Sequence, residues 1–87
     1  MPKSAHSSSY RVFLERLREA RLSHDLTQED VAERLGWAQS LVSKCERGVR
    51  RLDVVELRDW CHAIGVPFQR FAADLDKALP VAKSRRK

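Results

Sequence analysis

The feature that most constrains this chain is a very short link between two stretches of helical sequence. Apolar residues recur at helical spacing over residues 27–35 and again over residues 39–47, and only Gly36, Trp37 and Ala38 separate the two stretches. A link of this length allows only a sharp turn between helices. The sequence therefore predicts two short helices at a steep angle, the second projecting outward.

Capping signals predict where these helices and three others begin and end. Thr27 with Asp30, and Asp53 with Glu56, have the spacing of capping boxes at helix starts. The remaining boundaries are predicted from N-cap serines, prolines and glycines: starts at Ser8 or Ser9 and at Pro67, and ends at about Leu22, at Gly36, at Gly65 and at Pro80. No strand-like alternation is found, so we predict an all-α fold of five helices.

A chain of 87 residues is long enough for one domain. Its ends have too few apolar groups to offset the entropy of ordering. We predict a disordered N-terminal arm over residues 1–9, a helix-turn-helix domain over residues 10–80 and a basic C-terminal tail over residues 81–87. No nucleophile or acid–base pair stands in a pattern typical of catalysis, so we do not expect an enzyme.

The distribution of charge is more informative than its total. The net charge is +5, but the excess lies in the two ends, and residues 10–80 contain as many acidic as basic side chains. Residues 39–51 are rich in lysine and arginine, whereas most of the charged side chains in residues 53–76 are acidic. We therefore expect one basic and one acidic face on the folded domain.

The cysteines and histidines do not indicate a metal site. Cys45 and Cys61 fall on apolar helical positions and are expected to be reduced core residues. His6, His24 and His62 lack metal-ligand spacing to either cysteine, so we expect neither a metal nor another cofactor. No apolar run is long enough for a membrane span or a signal peptide, which predicts a cytoplasmic protein without membrane contact.

The second helix of the short-linked pair is predicted to have one packed side and one wet side. Successive residues are rotated by about 100° around a helix. On this projection the apolar side holds Ala38, Leu41, Val42 and Cys45, and the polar side holds Gln39, Ser40, Ser43, Lys44 and Arg47. A helix with a continuous polar side fits the major groove of DNA, which is about 12 Å wide.

The stretch TQEDVAERLGWAQSLVSKCERG, residues 27–48, resembles the helix-turn-helix of the Cro/Xre family of phage repressors and bacterial regulators. The resemblance continues through LDVVEL to AIGV at residues 63–66. It implies a compact, lambda-repressor-like fold and a transcriptional role in the cytosol. It also implies that the chain binds double-stranded DNA as a homodimer on a pseudo-palindromic operator.

The resemblance also suggests which residues contact DNA. Gln39 opens the recognition helix, where an amide pairs with adenine, and Lys44 has the reach to donate to guanine. We predict base contacts from Gln39, Ser40 and Lys44. Contacts to the DNA backbone are predicted for Gln28, Ser43, Arg47, Arg50 and Arg51. For the arginines, pairing with Glu46 or Glu56 is the alternative.

Two residues of the turn depart from the family pattern. Ala38 replaces the usual Ser or Thr cap of the recognition helix, and Trp37 replaces a small or aliphatic residue. The missing cap should cost about 1 kcal/mol, which Trp37 can partly offset by packing on Val42. These changes concern the angle of the recognition helix, not its existence.

The last helix carries more apolar side chains than a terminal helix of so small a domain needs for packing. They are Phe68, Phe71, Leu75 and Leu79. They either complete the core or form a dimer interface, and we predict the interface because two recognition helices must lie one DNA turn apart. An alternative function is that of an antitoxin or adaptor, which uses this helix and the acidic face to hold a protein partner.

Overall fold

The computed structural model describes residues 7–81, and within them the chain forms five α-helices and no strand. The helices are α1 (Ser8–Ser23), α2 (Gln28–Leu35), α3 (Gln39–Glu46), α4 (Val54–Ile64) and α5 (Phe68–Ala78). The predicted all-α, five-helix fold class is confirmed. Residues 1–6 of the predicted arm and residues 82–87 of the predicted tail lie outside the described residues.

The predicted capping boxes are present at both sites. Thr27 Oγ1 accepts from the backbone N–H of Asp30 at 3.0 Å, and Asp53 Oδ1 accepts from that of Glu56 at 2.8 Å. Both carboxylates of the boxes also accept a hydrogen bond from the cap's own N–H. The N-cap predicted for α1 was wrong: the helix begins at Ser8, and Ser7, not Ser8 or Ser9, caps it by accepting from the N–H of Tyr10.

The core lies where α1, α2, α3 and α4 meet, and α5 covers it from the side of α1 and α4. Its fully buried side chains are Leu17, Val31, Val42, Cys45, Trp60, Cys61 and Ile64. The two cysteines are free thiols, as predicted, and burial raises the pKa of Cys61 to about 11. None of the helices in residues 7–81 is long and apolar enough to cross a membrane.

Candidate nucleic-acid interface

Helix α3 follows α2 through the turn predicted from the sequence. Gly36 has a φ of 73°, a left-handed conformation that glycine adopts without steric cost, and it ends α2. The N–H of Trp37 then donates to the carbonyl of Ala32 at 2.9 Å, which closes the turn. Ala38 provides no side-chain cap for α3.

Trp37 packs against the core and contacts a second tryptophan. Its ring meets the fully buried ring of Trp60 edge-on, with centroids 6.0 Å apart and planes at 73°. This is one of the favoured geometries of aromatic pairs. The turn is therefore attached to α4 through an aromatic pair, and the base of α3 is fixed by the core.

Helix α3 divides into a packed side and an exposed side. Val42 and Cys45 are fully buried, and Leu41 packs partly buried against the core. On the other side Gln39, Ser40 and Lys44 are exposed, followed by Arg47, and Ser43 is half-buried. The side chains predicted to reach DNA bases are thus left uncovered by residues 7–81.

A buried ion pair, which is not among the contacts predicted from the sequence, fixes the C-terminal end of α3. Arg21 of α1 donates to both carboxylate oxygens of Glu46, from Nε at 2.6 Å and from Nη2 at 3.0 Å. Arg21 Nη1 also donates to the carbonyl of Leu26 at 2.9 Å. Both charged side chains are almost entirely buried, so the pair replaces the water that each would otherwise need.

Gln28 belongs to the same network. Its Nε2 donates to Oε1 of Glu46 at 3.0 Å, and the side chain is half-buried at the first position of α2. Glu46 therefore joins α3 to both α1 and α2. This geometry gives Gln28 a role in positioning α3, in addition to the backbone contact predicted from the resemblance.

The three arginines after α3 have different surroundings. Arg47 is exposed, and its Nε donates to Ser43 Oγ at 3.3 Å. The guanidinium of Arg51 lies 4.4 Å from the centre of the Tyr10 ring, a cation–π contact, and this residue is also exposed. Both therefore keep their charge on the surface.

Arg50 follows the alternative pairing. It donates to both oxygens of Glu56, at 2.8 Å and 2.9 Å, and to the carbonyl of Arg51. This bidentate bond is the main reason that the pKa of Glu56 lies below its usual value, and it raises the pKa of Arg50. Arg50 thus attaches the α3–α4 loop to α4, while its contact with a DNA phosphate stays a prediction.

The sequence matches the model of the helix-turn-helix family over residues 17–71, which is more than half of the chain. The chain belongs to the Xre-like helix-turn-helix family. A solved XRE-family like protein from Pseudomonas syringae pv. tomato str. DC3000 superposes with a TM-score of 0.80 at 41% identity, over 86% of this chain and 92% of that one. The residues matched by the family model include α2 and α3, the two helices of the motif.

Two further proteins differ in how closely they match this helix-turn-helix protein. The clp gene regulator ClgR of C. glutamicum shares the fold, with a TM-score of 0.72 at 19% identity over 88% of this chain and all of that one. An "uncharacterized transcriptional regulator in ATPase CF(0) region" of Rhodospirillum rubrum is 35% identical over 66 residues, or 76% of this chain. This chain spans 61% of that relative's length.

Within this family fold, α5 uses most of its apolar side chains on the core. Phe71 is 4% exposed and meets the ring of Phe13 edge-on at 6.1 Å. Phe68 and Leu75 are half-buried and pack against the core, and Leu79 is half-buried at the end of α5. Phe71 is therefore a core residue and is not available to a second copy of the chain.

Proposed function

We propose that this protein is a sequence-specific transcriptional regulator that inserts α3 into the major groove as a homodimer on a two-fold operator. The observation that carries the proposal is the exposed side of α3, which presents an amide, a hydroxyl and an ammonium group. The name of the Rhodospirillum rubrum relative supports a regulatory role. We infer a cytoplasmic location from the same function.

The roles of the exposed residues follow from their chemistry. The amide of Gln39 matches the donor and acceptor of adenine in the major groove, and Lys44 donates to guanine acceptors. Ser40 donates to a base, while Gln28, Ser43, Arg47 and Arg51 bind the phosphates that fix the register of α3. Residues 10–80 have no net charge, so within this part of the chain the attraction to DNA comes from the local basic surface.

The proposal is tested by selecting bound sequences from a random pool of double-stranded DNA at two salt concentrations. We expect a two-fold motif that persists at the higher salt concentration, because base contacts do not depend on counterion release. Binding that selects no motif and is lost as the salt concentration rises would exclude the proposal.

Alanine variants then assign the contacts, with matched controls of the same residue type on α5. Gln39→Ala and Lys44→Ala should each weaken binding to the selected motif by about fivefold or more, since a good base contact is worth about 1–3 kcal/mol. Gln69→Ala and Lys77→Ala remove an exposed amide and an exposed ammonium group outside the motif, and should leave affinity unchanged. Equal effects in both pairs would contradict the assignment.

If the protein is instead an antitoxin or adaptor, Gln39→Ala and Lys44→Ala leave its partner binding intact.

A further inference from the structure

A groove between α1 and the end of α3 is lined by three arginines. Arg11 and Arg18 line it from α1, Arg47 lines it from the residue after α3, and its volume is about 470 Å³. All three side chains are exposed. Arg11 and Arg18 are seven positions apart, which places them on one side of α1 and about 10 Å apart along its axis. We call this feature the arginine groove.

Most of the carboxylates that line the arginine groove already have a cationic partner. Glu46 is buried in its ion pair with Arg21, and Glu19 pairs with Arg16 at 3.4 Å. Glu15 forms no ion pair within residues 7–81. Of the described residues, a single carboxylate of the groove is therefore left without a specific partner for its charge.

The arginines of the groove have almost no partners within the fold. In the part of the chain that the structure describes, the guanidinium groups of Arg11 and Arg18 make no ion pair and no hydrogen bond, and that of Arg47 donates only to Ser43 Oγ at 3.3 Å. Three guanidinium groups thus stand against one free carboxylate, which gives the groove a net positive charge. A guanidinium group is always ionised and can bind a phosphate through two hydrogen bonds at once. The groove is therefore suited to an anion that carries phosphate groups.

The position of the groove indicates the source of those phosphates. Arg47 belongs to two surfaces, because it lines the groove and also bonds to Ser43 on the polar side of α3. The groove therefore begins where the exposed side of α3 ends, and an extended anion bound along α3 can continue into it. One strand of B-DNA presents a phosphate about every 3.4 Å of helix axis, so the roughly 10 Å between Arg11 and Arg18 span two or three phosphates.

We propose that the arginine groove binds the phosphate backbone of the same DNA whose major groove receives α3. This inference rests on the proposed function and adds α1 to the surface that contacts DNA, beyond the contacts predicted for α2, α3 and the following loop. The buried pair of Arg21 and Glu46 fixes α1 to α3, so the groove and the exposed side of α3 keep a constant relative position. The phosphate contacts add affinity and fix the register of α3, but they read no base.

The test removes two charges from the groove and measures DNA binding by fluorescence anisotropy over a range of salt concentrations. The groove variant is Arg11→Gln/Arg18→Gln. The matched control is Arg70→Gln/Lys77→Gln, which removes the same charge from two exposed residues of α5. All four side chains are exposed, so thermal unfolding followed by circular dichroism should be unchanged in both variants.

The expected result is a weaker dependence on salt in the groove variant alone. Each phosphate contact contributes about 0.9 to the slope of log affinity against log salt, so the loss of two contacts should make the slope less steep by about 1.8. Between about 50 and about 200 mM salt, the advantage of the wild type over the groove variant should therefore shrink by about tenfold. The α5 control should keep the wild-type slope.

A variant of the opposite sign distinguishes phosphate binding from a structural role. Glu15→Gln removes the one free carboxylate of the groove and should strengthen DNA binding, because a repulsive charge next to the phosphates is lost. A purely structural role of Arg11 and Arg18 predicts no such gain.

Two results would overturn the inference: a groove variant with the wild-type slope, or an equal change of slope in the α5 control, which would mean that only the net charge of the chain matters. The test is separate from that of the proposed function, because phosphate contacts do not depend on sequence. A chain that selects no motif but loses slope in the groove variant would exclude only sequence-specific binding. A two-fold motif that the groove variant binds with the wild-type slope would exclude only the role of the arginine groove.

Discussion

Replacing Glu46 with alanine should destabilise the fold far more than the loss of a typical ion pair on the surface. The substitution removes both carboxylate partners of Arg21, at 2.6 Å and 3.0 Å, and leaves the guanidinium with the carbonyl of Leu26. Arg21 is 8% exposed, so water cannot take the place of the carboxylate without a rearrangement of α1. Removing one partner of such a buried pair costs about 3–5 kcal/mol.

This loss is a large fraction of the total stability of a small domain, which is about 5–15 kcal/mol. In a domain of this size each kcal/mol corresponds to about 4–8 °C, so the melting temperature of Glu46→Ala should fall by at least about 12 °C. Urea denaturation followed by circular dichroism measures the free energy of unfolding, with an unchanged m-value if only stability is affected. Glu33→Ala, an exposed glutamate of α2, is the control and should change stability by less than about 0.5 kcal/mol.

A double variant separates the cost of an unpaired charge from the value of the pair. Arg21→Met/Glu46→Leu removes both charges and keeps apolar volume, and exchanges of this kind are often neutral or stabilising. We therefore expect the double variant to be more stable than Glu46→Ala, although Gln28 loses its acceptor as well. A loss of less than about 1 kcal/mol in Glu46→Ala would refute the reasoning, since Arg21 would then behave as a solvated surface residue.

Three further predictions concern α3, α4 and the core. Ala38→Ser should add the missing cap of α3 and raise the free energy of unfolding in urea by about 0.5–1 kcal/mol, whereas no gain would mean that the turn cannot orient the hydroxyl. Hydrogen bonds from Arg50 lower the pKa of Glu56 below its usual 4.5. The stability that ionised Glu56 contributes is therefore present above pH 4.5 and is lost as the pH falls through the lower pKa of the folded state. Glu56→Gln should therefore be less stable at neutral pH and lose less stability on acidification, and parallel pH curves would contradict this. Cys61, with its pKa raised to about 11, should react with a thiol reagent only when the chain unfolds, and a fast reaction in the native state would show that the site opens locally.

Features that depend on neighbouring residues were the ones that the sequence predicted well. The capping boxes at Thr27 and Asp53 and the left-handed Gly36 are local, because the residues that make them lie within four positions of each other. The division of α3 into two sides depends on helical periodicity, which placed Val42 and Cys45 on the packed side correctly; Ala38, also predicted there, is exposed. The N-cap of α1 was assigned to the wrong serine because three consecutive serines offer equivalent caps.

The contacts that fix α3 were not predicted, because they join residues that are distant in sequence. Arg21 and Glu46 are 25 positions apart, and each resembles an ordinary surface charge when it is considered alone. One signal was present: Arg21 lies four positions after Leu17, and Glu46 four positions after Val42, so both project from apolar stripes. Two opposite charges on the packed sides of two helices indicate a buried pair.

The orientation of α3 depends on these buried contacts rather than on the helix itself. Its 8 residues are too few for a stable isolated helix, and it has neither a side-chain cap nor an acidic residue in its first turn. The aromatic pair of Trp37 and Trp60 holds its beginning, and Glu46 holds its end. The direction in which Gln39 and Lys44 project is therefore set by residues that lie outside the exposed side of α3. It follows that a substitution at Glu46 which still allows folding should weaken DNA binding, although it removes no group that faces the groove.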